Sequence, residues 1–194
     1  MNPSNVNPFE YVSILISIIL GLGITQILSA ITDLLYHYKK VKFYWPHLLW
    51  IGFILFLHVQ DWFVTYQLRE KHSWYLPELF FILFYPILLF AIAKMLLPTN
   101  ESEERYNMKL FYMSQYRIIF FIVSLAIIVS ILFNLILLKN SFQDQLLFIP
   151  FLVTMLVVSF MKIENEWVHK IIAFIISVVS LISIFVDQDN WAVK

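Results

Sequence analysis

Apolar stretches of about 20 residues recur along the whole chain, each long enough to cross a hydrocarbon core of about 30 Å at 1.5 Å per residue. Once inserted, such stretches have no water to satisfy their backbone, so they must fold as helices that bond internally. Composition agrees: 61% of the 194 residues are hydrophobic and 13% charged, against about 45–50% and about 25% in soluble domains. A soluble single domain is therefore excluded, and the expected fold is an all-α, polytopic transmembrane helical bundle in contact with a lipid bilayer. Thirteen Lys and Arg balance thirteen Asp and Glu, which leaves no basic footprint for nucleic acid. No cysteine is present, and with it go disulfides, thiolate metal sites, Fe–S clusters and cysteine nucleophiles.

Six spans are expected within one transmembrane domain covering residues 1–194. They run from about Tyr11 to Ile31, Leu48 to Tyr66, Leu76 to Leu97, Ile118 to Leu138, Gln145 to Met161 and Val168 to Val186. The first nine residues carry no Lys or Arg, and no A-x-A site follows the first apolar run, so this span is expected to stay in the mature protein. Asn7-Pro8-Phe9-Glu10 supplies a capping side chain, a Pro at the first helical position and an acid in the first turn. Ser141-Phe142-Gln143-Asp144 repeats that logic before span five, Pro46 opens span two, and Pro98 stops span three. Pro86 and Pro150 fall inside spans three and five, where they are expected to kink the helices on faces turned toward protein. The connector from Thr99 to Arg117 opens with Glu101, Glu103 and Glu104 and then carries Tyr106, Leu110 and Met113 on one face. It reads as an amphipathic cytoplasmic helix at the interface or as an extension of span four.

Orientation follows from the basic residues. Connectors after spans one, three and five hold Lys39, Lys40, Lys42, Lys94, Arg105, Lys109, Arg117, Lys162 and Lys170, nine in all, against Arg69, Lys71, Lys139 and Lys194 on the other side. Nine against four places both termini outside. Trp45, Trp50, Trp74, Tyr75, Trp167 and Trp191 fall near the span ends, where an amphipathic ring suits the headgroup level.

Chemistry concentrates in span two. Asp61 is the one carboxylate well inside a span, at a cost of about 2.5–3.5 kcal/mol. Eleven Leu, Ile, Val and Phe residues between Leu48 and Tyr66 return about −3 to −7 kcal/mol, which Asp61, Gln60 and His58 largely consume. His58 and Asp61 are three apart and share a face that Thr65 continues. With Gln60, and with Asn134 and Thr154 at compatible depth, they are candidates for a proton or cation path. The bland alternative is a polar clamp satisfied by hydroxyls and carbonyls of neighbouring helices. Ser13, Ser17, Gly21, Thr25 and Ser29 step along span one at four-residue spacing. Small residues so spaced serve helix packing, or else form a pore wall narrowest at Gly21, Gly23, Thr25 and Gln26.

No H-E-x-x-H, P-loop or G-x-S-x-G pattern occurs, and no metal site or catalytic residue is expected. No cofactor is expected either, with haem as the minor alternative. A haem between helices would need two converging His side chains. His47 and His58 lie 11 apart on nearly one face, while His37, His72 and His169 fall near span ends.

Glu10 before a Gly-containing first span, Trp45-Pro46-His47 with Trp50, and the run His58 to Trp62 resemble a family of small uncharacterised bacterial polytopic inner-membrane proteins, mainly over the first half of the chain. The resemblance implies a bacterial inner membrane and functional weight on span two, with no activity attached. Three function classes stand open: a channel-like or small-ion/proton transport protein acting as a homo-oligomer, a membrane-embedded sensor or effector subunit acting through a cytoplasmic protein partner, and an intramembrane redox or lipid enzyme.

Overall fold

The computed structural model describes residues 7–71, 73–97 and 106–186. Among these residues six α-helices follow one another: α1 (Pro8–Tyr36), α2 (Trp45–Tyr66), α3 (Leu76–Met95), α4 (Met108–Ile136), α5 (Phe148–Phe160) and α6 (Glu166–Val186). All six are long and apolar enough to cross a membrane, α5 together with the 3-10 turn Phe142–Gln145 before it. Among the described residues the only strands are two-residue pieces, β1 (Val41–Lys42) and β2 (Tyr106–Asn107), paired in parallel. The chain is an all-α membrane helical bundle.

The sequence signals act where they stand. Asn7 accepts the Phe9 amide at 3.0 Å, with Pro8 next and Glu10 in the first turn. Ser141 and Asp144 cap reciprocally, but on the 3-10 turn ahead of α5. Both α1 and α4 are 29 residues long, about 43 Å at the helical rise, so they tilt or project beyond the hydrocarbon. For α4 the surplus lies at its start: Met108 to Arg117 extend span four rather than forming a separate interfacial helix.

Three bonds fix which ends lie together. The β1–β2 pairing joins the α1–α2 and α3–α4 connectors. Lys109 at the start of α4 pairs with Glu166 at the start of α6, at that same end. At the opposite end, the Asn7 side-chain amide donates to the Arg69 carbonyl at 3.4 Å, bringing the start of α1 to the α2–α3 turn. The helices thus alternate up and down. Main packing partners are α1 with α3 and α2, α3 with α4, α2 with α6, and α5 with α4. A large apolar cluster at the connector end includes Ile27, Ile54, Ile92 and Phe120. A smaller one at the N-terminal end includes Phe9, Ile16, Leu89 and Phe133.

Two expectations are corrected. Pro150 is exposed in the first turn of α5, where no intrahelical donor is required, and so makes no kink facing protein. Trp50 is 1% exposed, packed on Phe53 and Phe120, and serves the core rather than the headgroup level. Trp45 and Trp167 do lie exposed near helix ends, and Pro86 is buried within α3. Pro98, Glu101, Glu103, Glu104, Arg105, His72, Trp191 and Lys194 lie outside the described residues.

Candidate functional site

Helices α1, α2 and α3 pack against one another, and His58 of α2 is completely buried. Its Nδ1 donates to the Ile54 carbonyl at 2.7 Å. A carbonyl can only accept, so the proton is on Nδ1 and the lone pair of the neutral ring is on Nε2. That Nε2 has no hydrogen-bond partner among the described residues. It faces Gly23 of α1 so closely that a Cβ there would stand 2.7 Å from the His58 Cδ2 and nearer still to Nε2. One turn along α2, the Oδ2 of Asp61 is buried and has no hydrogen-bond partner among the described residues, and Tyr85 of α3 lies within electrostatic reach of it. His58 and Asp61 do not bond to each other. On α1, three residues from Gly23 toward the connectors, the Oε1 of Gln26 is buried and also lacks a partner among the described residues. Because α1 and α2 are antiparallel, Gln26, His58 and Asp61 succeed one another over about 9 Å of helix. Orphaned acceptors in an apolar interior cost about 1–3 kcal/mol each.

Other candidates fall elsewhere. Thr65 is buried next along α2, and Gln60 is half-buried. Asn134 donates to the buried Gln145 at 3.0 Å, closing the α4–α5 turn. Thr154 is exposed on α5 and donates to its own helix at Pro150. The chain by itself therefore does not bring Asn134 or Thr154 to His58. Ser17, Gly21, Thr25 and Ser29 face outward, and Ser13 is half-buried. A Cβ at Gly21 would meet nothing within 4 Å, and the Thr25 hydroxyl donates to the Gly21 carbonyl at 2.7 Å. The small-residue ladder is thus an outer face of the bundle, with only Gly23 turned inward.

A second polar centre, not anticipated from sequence, ties the connector end together. The Tyr112 hydroxyl of α4 donates to Nδ1 of the buried His169 of α6 at 3.0 Å, and Nε2 of that ring donates to the Ile163 carbonyl at 2.8 Å. On the other side of Tyr112, His47 of α2 donates from Nε2 to the Leu96 carbonyl at 2.7 Å. Tyr44, just before α2, packs its ring on Tyr112. Burial, aided by the Glu166 carboxylate, pushes its phenol up to about 12, so it stays protonated at neutral pH. Outside this cluster Glu166 holds both Lys109 and Lys170. The signal that could have revealed the centre is the four-residue spacing of Met108, Tyr112, Tyr116 and Phe120, which places large side chains on one face of α4.

Among the described residues no three His, Asp or Glu side chains converge as a metal would need. Compared with models of known protein families, with curated proteins and with solved structures, the chain matches none.

Proposed function

We propose that this integral membrane protein is a channel-like or transport subunit that passes protons or small cations, working as a homo-oligomer in a bacterial inner membrane. One observation carries the reading: a fully buried imidazole whose lone pair is aimed at a glycine, one turn from a buried carboxylate oxygen without a partner. Ionisable groups held in a membrane interior at such cost are by default candidates for an ion or proton path. Gly23 makes α1 thinnest where His58 lies behind it, and the outward face of α1 at that level carries Gly21 and Thr25. A neighbouring copy packed along Gly21, Thr25 and Ser29 would complete a path whose inner wall is this thin part of α1, and a small rotation of α1 would open His58 to it.

The test is proton and cation flux in liposomes, measured together with helicity and oligomeric state. Asp61→Asn is expected to abolish flux while fold and assembly persist. Normal flux in a well-folded Asp61→Asn protein, or wild-type flux no greater than in empty liposomes, overturns the reading.

A second reading, a sensor or effector subunit without a transport cycle, is favoured by the connector end. There the β1–β2 pairing and the Lys109–Glu166–Lys170 cluster join three connectors into one polar face that a cytoplasmic partner could read. It predicts no flux at any pH.

A further inference from the structure

Between the first turns of α1 and the last turns of α2 runs a groove of about 520 Å3, within the range of about 300–1,000 Å3 typical of small-molecule sites. Phe9, Ser13, Ser17, Trp62, Thr65 and Tyr66 line it, so its walls are mostly apolar with a few hydroxyls. It extends from the start of α1 to Ile18, ten residues or about 15 Å from Pro8. That is half of a hydrocarbon core of about 30 Å, the depth of one leaflet. Trp62 is 44% exposed at its side. The groove therefore opens sideways, into the space that acyl chains fill around any membrane span.

One cation, Arg69, stands beside its mouth, with the exposed Glu70 next to it in sequence and the exposed Glu10 next to the groove-lining Phe9. The Arg69 guanidinium lies 4.8 Å from the centroid of the Tyr66 ring, one of the groove walls. Arg69 forms no ion pair among the described residues, whereas nearby Lys71 is neutralised by Glu78 at 2.9 Å. The Asn7 side chain holds the Arg69 carbonyl, which anchors this turn against the start of α1, and the guanidinium rests on the Tyr66 ring at the groove wall. A planar guanidinium at headgroup level suits a phosphate, which it can grip with two parallel N–H bonds.

We propose that this groove is a binding site for one anionic phospholipid of the leaflet at the N-terminal end, with an acyl chain along Ser13, Ser17 and Trp62 and the phosphate on Arg69. The proposal is independent of transport, since it involves neither His58 nor Asp61.

Native mass spectrometry of the full chain in mild detergent, offered equal amounts of phosphatidylglycerol and phosphatidylcholine, provides the test. One lipid per chain is expected to be retained, with phosphatidylglycerol preferred about fivefold, the worth of one interfacial cation. Arg69→Gln should bring the two lipids to parity, and Lys71→Gln should leave the preference unchanged. Ser17→Phe, at an exposed position, should fill the groove and remove the retained lipid while helicity is kept. Equal retention of both lipids by the wild-type chain overturns the proposal, as does an unaltered preference in Arg69→Gln. It is also overturned if Ser17→Phe separates paired chains without changing the lipid count, because the groove would then be a contact between copies.

Discussion

The imidazole of His58 lies against the Cα of Gly23, with no room between them for even a methyl group. This one contact sets how closely α1 and α2 approach and what can reach the buried ring nitrogen. The three glycines of the chain therefore differ in consequence. Gly23→Ala must push His58 off its Ile54 bond or spread the helices, with an expected loss of about 1–3 kcal/mol as for other overpacked sites. Gly52→Ala has open space and should be neutral or gain up to about 1 kcal/mol through helix propensity. Thermal unfolding in detergent compares the two, and equal stabilities would show that the contact does not constrain the bundle.

Gly21→Leu separates fold from assembly. Nothing within the chain lies near a Cβ at that position, so the monomer should keep its helicity and melting temperature. A leucine there would prevent a second backbone from approaching along Gly21 and Thr25, and the oligomer should dissociate at higher protein concentration than the wild type. A monomeric wild type under mild lipid conditions, or an unaffected Gly21→Leu oligomer, removes this face as the contact between copies.

Much of the fold was legible because lipid leaves few choices. An apolar run of the right length bounded by Asn7 and Pro8, or by Pro46, has to be a helix, and these starts came out where the side chains placed them. Pro150 and Trp50 misled for a related reason. Each was read from its distance to a presumed span end, and a helix start displaced to Phe148 or a face rotated toward Phe120 changes the meaning of that distance. For the site, spacing alone put His58 and Asp61 on a common face, but their surroundings depend on which helices meet. The pairing of His58 with Gly23 is a contact across 35 positions, and that of Tyr112 with His169 across 57. Hydropathy carries no information about either.

The Tyr112–His169 bond joins α4 to α6, and its energetic worth is measurable. Because Nε2 of His169 donates to Ile163, its Nδ1 depends on the Tyr112 hydroxyl for a donor. Tyr112→Phe should lower stability by about 1–3 kcal/mol, the cost of a buried acceptor left without a partner. Combined with His169→Phe in a double-mutant cycle, it should give a coupling energy of about 0.6 kcal/mol and at most about 1.7, the span found for polar pairs between membrane helices. Zero coupling would mean that the two rings merely pack.

Orientation is testable without background, because the chain contains no cysteine of its own. Lys42→Cys and Glu164→Cys place single thiols at the connector end, and Glu70→Cys and Asn140→Cys at the opposite end, all at exposed positions. The excess of Lys and Arg at the connector end predicts that it faces the cytoplasm. A membrane-impermeant maleimide applied to intact cells should therefore label Glu70→Cys and Asn140→Cys directly, and reach Lys42→Cys and Glu164→Cys only after permeabilisation. The opposite pattern would invert the bundle and move the groove beside Arg69 to the inner leaflet. A mixed pattern within one end would be more serious, because β1–β2 pairing and the Lys109–Glu166 bridge require these connectors to share a side of the membrane.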